Sequence, residues 1–184
     1  MDKRIIKEID NTIKYIWKYD IKKDYENNNL LMEDTVKNAL YFHLRTRLGT
    51  LLDELNIKIF TEFNSDKFKG IGYRPDMVIV QIDPDMPNEF LGDCVKEYVC
   101  IIELKYKSDT YSAANEIYSD YEKIRHYISE MDLNCHRYYM AAIWECQPDS
   151  KKWLDENDWA KGKLTELNAD YGSTGNMLFY VKEH

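Results

Sequence analysis

Glycine and proline are scarce in this chain, with seven and four among 184 residues. Collagen-like repeats and flexible Pro/Gly/Ser linkers are thereby excluded, and no internal repeat or low-complexity tract divides the sequence. Cysteine is sparse too. Cys94, Cys100, Cys135 and Cys146 form no C-x-x-C pair and have no histidine at zinc-finger spacing. They are expected to be reduced thiols packed as small apolar groups, in preference to a structural zinc site. No apolar run is long enough to cross a bilayer. The first twenty residues mix charge with apolar side chains too closely for a secretory signal. The expectation is a cytoplasmic protein with no membrane partner. There is no Walker A loop and no dinucleotide fingerprint, and His43, His126, His136 and His184 form no triad with a serine or cysteine. Positive charge is also short: 25 Lys and Arg face 33 Asp and Glu, for a net −8. A nucleic-acid coat protein that works by counterion release is thereby disfavoured. An enzyme that holds phosphate locally, through a metal and a few basic groups, is not.

What is present is an ordinary folding composition, 44% hydrophobic and 32% charged. It suits one domain over residues 1–184, with 1–26 as an N-terminal helical extension. Ile5, Ile9, Ile13, Ile16 and Trp17 recur at helical spacing. Asn27-Asn28-Asn29 suits a loop and the N-cap of the next helix. Leu40, Leu44, Leu48, Leu51 and Leu55 then mark one helix face. Strands are expected over 57–63, 74–82, 98–107, 137–145 and 177–181, with helices over 113–131 and 153–167. Residues 65–72 read as a hairpin turn, and the acidic stretch 83–97 reads as a connecting loop without EF-hand spacing. The order α-α-β-β-β-α-β-α-β predicts an α/β protein with a mixed sheet flanked by helices.

Two strands carry charge where a core strand should not. In Tyr98–Lys107, alternation puts Val99, Ile101, Glu103 and Lys105 on one face. In the preceding strand, Asp76 shares a face with Val78, Val80 and Ile82. Ions withdrawn from water persist when they are paired or when they hold a metal. Two carboxylates brought together by neighbouring strands repel, and a hard cation such as Mg²⁺ relieves that repulsion while keeping room for substrate phosphate. The alternative is a cross-strand ion pair of Lys105 with Asp76 or Glu103 and no metal.

Pro75-Asp76, followed at the end of the next strand by Glu103-Leu104-Lys105, resembles the PD-(D/E)XK signature. The segment 30–145 matches that superfamily's order of helix, three strands, helix, strand. The resemblance implies a restriction-endonuclease-like fold and a nuclease that hydrolyses phosphodiesters in DNA or RNA. It implies that Asp76, Glu103 and the Leu104 carbonyl bind Mg²⁺, with Mn²⁺ as a substitute. It implies that Lys105 orients the attacking water and steadies the phosphate charge. Glu33 matches the carboxylate that many members add from the first core helix, although an acidic residue in a first helical turn is also favoured by the helix dipole. Glu62 is a second candidate, against the reading of a solvated strand-end charge. Some members keep the fold and lose catalysis, so a silent interaction module in a defence, repair or mobile-element complex is the alternative function.

Substrate contacts are harder to place. Lys67, Lys69 and Arg74 are candidate phosphate contacts, with Phe68 or Tyr73 to stack on a base. A solvated hairpin is the competing reading. Lys123 and Asp120 read as an exposed i, i+3 ion pair rather than as site residues. The expected partner is nucleic acid, DNA foremost, and a homodimer is in keeping with small nucleases of this type.

Overall fold

The computed structural model describes residues 1–69, 72–86, 90–108, 113–131, 133–145, 154 and 158–184, of which 69 and 113–115 are described by backbone alone. Cys146, Trp153 and Gly70 therefore lie outside the described residues.

Asp2 opens helix α1 (Lys3–Tyr15) by accepting from the Arg4 backbone N–H. The helix runs on through a π-helical turn (Ile16–Ile21) into α2 (Lys22–Glu26). Ile9, Ile13, Ile16, Trp17 and Ile21 are all buried. Asn28 has a positive φ in the connecting loop, but α3 (Glu33–Glu54) starts later than expected, with Met32 as its cap residue. No asparagine caps this helix; instead the Thr35 hydroxyl at the third helical position reaches back to accept from the Leu31 and Met32 N–H groups. Of the leucine stripe, Leu40, Leu44 and Leu48 are buried as expected; Leu51 and Leu55 are only partly buried, and Leu52 takes the buried position in the last turns.

Six strands form one open mixed sheet in the order β1 (Ile57–Thr61), β2 (Met77–Ile82), β3 (Val95–Lys107), β4 (Cys135–Trp144), β5 (Leu164–Tyr171) and β6 (Met177–Glu183). β3, β4 and β5 are parallel; β1, β2 and β6 run antiparallel to their neighbours. α1, the π turn and α3 cover one face with an aliphatic core that includes Ile13, Leu44 and Ile102. α4 (Asp66–Lys69) and α5 (Ala113–Ser129) cover the other, with a core rich in aromatics. The chain is thus an α/β protein: N-terminal helices, then a six-strand mixed open sheet with interspersed helices. Among the described residues no helix is long and apolar enough to cross a membrane.

Three expectations are corrected. The helix expected over 153–167 is not found among the described residues: residues 158–163 turn, and Leu164 opens β5. Thr165, Glu166, Asn168 and Asp170 are polar yet buried in that strand, which hides it from a hydrophobicity pattern. The hairpin expected over 65–72 contains the short helix α4 instead. Val99 does not share the Glu103 face. The register slips between Ile79 and Val80, which leaves Val99 as the extra residue of a β-bulge. Val99 and Cys100 both join the core under α1, while Tyr98 and Ile101 join the core under α5.

Candidate active site

β2 and β3 bring the two predicted carboxylates together. Met77 lies opposite Ile102, so the next pair outward is Asp76 opposite Glu103, and opposed residues share a face. The Asp76 Oδ2 accepts from the Leu104 backbone N–H at 2.8 Å. Within a strand, the N–H and C=O of one residue point to the same flank, so the Leu104 carbonyl lies on the Asp76 side. Glu103 is wholly buried. Its carboxylate accepts from the Tyr127 hydroxyl at 2.9 Å and from Lys123 Nζ at 3.5 Å.

Lys105, two residues further on the same face, sits between two helices. Its Nζ is 3.1 Å from Glu33 Oε2 in the first turn of α3 and 3.1 Å from Asp120 Oδ2 on α5. Lys123 Nζ reaches the other Asp120 oxygen at 2.7 Å. The alternative weighed against a metal site, a cross-strand pair of Lys105 with Asp76 or Glu103, gives way to a bridge across the end of the sheet. Next to it, buried Lys37 of α3 pairs with Glu62 and, at 3.2 Å, with Asp34. Arg74 reaches the other Glu62 oxygen at 2.7 Å. Glu62 follows β1 in a left-handed conformation, φ 51°, and its N–H bonds the Asp76 carbonyl at 2.9 Å.

The electrostatics follow from burial and crowding. Desolvation, followed by the Asp76 charge, pushes the Glu103 carboxyl well above the usual range. Glu33 is raised mainly by burial, against the pull of Lys105. Burial alone would lower Lys105, but Asp120 and Glu33 outweigh it and hold the ammonium above its ordinary value. Lys123 is raised in the same way by Glu103 and Asp120, against its own burial. Ionised, Glu33, Asp34, Glu62, Asp76, Glu103 and Asp120 set six negative charges against the four positive ones of Lys37, Lys105, Lys123 and Arg74. The cluster is two positive charges short of neutral.

Asp76, Glu103, Leu104, Lys105 and Glu33 are thus gathered at one end of the sheet. Glu62 borders them, engaged by Lys37 and Arg74. Lys67 stands apart, with its Nζ 5.6 Å from the centre of the Tyr98 ring. Lys69's side chain lies outside the described residues. Phe68 is buried in the core and Tyr73 packs edge-on against His126 and Tyr127, so the expected base-stacking role of Phe68 is excluded. The exposed Asp120–Lys123 pair is also corrected, since Asp120 is only 2% exposed and both face the sheet end. Tyr127 and Lys37 were not expected. The available signal was spacing: Asp120, Lys123 and Tyr127 fall at i, i+3 and i+7, interleaved with Ile117 and Ile124 of the buried stripe.

Among the described residues no three His, Cys, Asp or Glu side chains already surround one point as a metal would require. Compared with family models, curated proteins and solved structures, the chain matches none.

Proposed function

We propose that the chain is a divalent-metal-dependent nuclease on a restriction-endonuclease-like core, and that the end of β3 is its active centre. One observation carries the reading: Asp76 stands opposite Glu103 on adjacent strands, with Lys105 next on the same face. The order α3, β1, β2, β3, α5, β4 supports it. The donor set fits Mg²⁺, or Mn²⁺ in its place. Two carboxylates and a backbone carbonyl are what such an ion takes from protein while it keeps several waters. Glu103 is raised first by burial and then by the Asp76 charge, and a dication between the two carboxylates would relieve that second effect.

Asp76, Glu103 and the Leu104 carbonyl would hold the ion, which when bound polarises a phosphoryl oxygen and acidifies a water. Lys105, held by Glu33 and Asp120, would orient the attacking water and steady the charge on the phosphate. Glu33, raised by burial and 3.1 Å from Lys105, is placed to take up a proton as the water attacks. Tyr127 and Lys123 hold Glu103 in one orientation.

A panel of single- and double-stranded DNA and RNA with Mg²⁺ or Mn²⁺ tests the proposal. Cleavage by the native chain should fall about 10²-fold or more in Asp76→Ala and in Lys105→Ala, and should vanish with chelator. Equal cleavage by native and Asp76→Ala protein would overturn it. A second reading, a silent binding module on the same core, has one observation on its side. Lys37, Lys105 and Lys123 are each already neutralised by carboxylates. It predicts metal-independent association with a partner and no cleavage of any polymer.

A further inference from the structure

A cleft with a volume of about 370 Å³ lies between α1 and the start of β3 and β4. It is distinct from the site above: Val99 to Lys105 is six residues of strand, roughly 20 Å at the rise of a β-strand. The cleft also opens on the other face of the sheet, under α1. The local backbone explains why it exists. The β3 bulge turns Val99 and Cys100 together toward α1. On β4, Cys135 and Tyr138 both face the α5 core, which leaves His136 and Arg137 on the cleft side. Two consecutive residues from each of two neighbouring strands thus line one hollow.

Its charge is as unusual as its shape. Lys3 and Lys7, one helical turn apart on α1, face Arg137 across the opening. None of the three has an ion-pair partner among the described residues, in a chain with a net charge of −8. The one carboxylate in the cleft, Asp10, is already held by Lys14 at 2.7 Å and by the Tyr139 hydroxyl. His136 is likewise held by Glu97, which also binds the Met1 amine at 2.7 Å. Three cations around one hollow match the charge and oxygens of a phosphate better than the single charge of a carboxylate, and Arg137 offers the fork that phosphate favours. Ile6, Ile9 and Val99 give the cleft an apolar wall. A few hundred Å³ is the scale of a small-ligand site.

We infer that this cleft binds a phosphomonoester of nucleotide size, with the phosphate among Lys3, Lys7 and Arg137 and the ring system against the apolar wall. The test is an NMR and calorimetric titration of the full chain, in chelator, with a nucleoside 5′-monophosphate, the neutral nucleoside and inorganic phosphate. The monophosphate should bind more tightly than either fragment and should shift the amides of Val99, Cys100 and Arg137. Lys7→Glu and Arg137→Ala should each weaken it about tenfold or more. Lys7 is exposed, so Lys7→Glu tests the cleft without threatening the fold. No binding by the monophosphate, inorganic phosphate binding as tightly, unchanged affinity in both variants, or shifts confined to Asp76 and Glu103–Lys105 would each overturn the inference. Because chelator is present and the mapped residues differ, the outcome is independent of whether the sheet end cuts nucleic acid.

Discussion

Glu103 shows most plainly what it costs to assemble this cluster. Its carboxyl is raised first by burial and then by Asp76. Below the unfolded value near 4.5 both states hold the proton. As pH rises past that point the unfolded chain ionises first, so stability is lost until the folded carboxyl also ionises. At neutral pH the native residue is therefore a net burden. Glu103→Gln should raise stability by about 1 kcal/mol, or ~2–4 °C in melting temperature, and under the proposed nuclease function should abolish cleavage. Tyr127→Phe should act in the opposite direction. It removes a 2.9 Å donor from a buried acceptor and should lower stability by about 1 kcal/mol or more in denaturant titration. A stabilised Tyr127→Phe chain would refute this account of the site.

The elements differ in how plainly the sequence announces them. α1 and α3 are legible because their apolar residues repeat at helical spacing and are the ones that become buried. β2 and β3 are legible as apolar runs, and the charges that interrupt them, Asp76, Glu103 and Lys105, mark the sheet end. β5 is not legible, because its buried side chains include Thr165, Glu166, Asn168 and Asp170, which pattern reading assigns to solvent. Glu166 is tolerated inside because Tyr121, the Leu154 N–H and His184 all donate to it, and those partners are distant in sequence. The same limit hid Lys37 and the polar side of α5, whose burial depends on charged partners 15–25 residues away in the chain, Glu62 for Lys37 and Glu103 and Lys105 for α5. The Val99 bulge leaves no local mark, since both neighbours of the extra residue are apolar. α1 itself is no loose appendage. Trp17 is fully buried and its indole N–H bonds the Asn168 carbonyl at 3.0 Å. Trp17→Ala should cost about 3–5 kcal/mol in equilibrium unfolding. A chain lacking residues 1–26 should lose cooperative unfolding, because it strips Ile9, Ile13, Ile16, Trp17 and Ile21 from the core that α3 shares with the sheet.

At the scale of the whole molecule, charge joins what the two apolar cores do not. Glu97 on β3 accepts from the Met1 amine and from His136, and these partners outweigh its burial to hold its carboxyl below the usual range. A lowered carboxyl contributes stability that is present at neutral pH and is lost as pH falls below about 4.5. Acid unfolding of Glu97→Gln should accordingly be flatter across that window than that of the native chain. The aliphatic and aromatic cores lie on opposite faces of one sheet, and residues from the two layers meet at Lys105. Substitutions confined to separate layers, such as Trp17→Phe and Ile124→Val, should sum independently, to within roughly 0.5 kcal/mol. Glu33 and Asp120 should not. They grip a single ammonium from α3 and α5, so a thermodynamic cycle over Glu33→Gln and Asp120→Asn should yield an interaction energy that disappears once Lys105 is itself replaced by methionine. In that respect the sheet end acts as a hinge pin, and what disturbs one layer there is felt by the other.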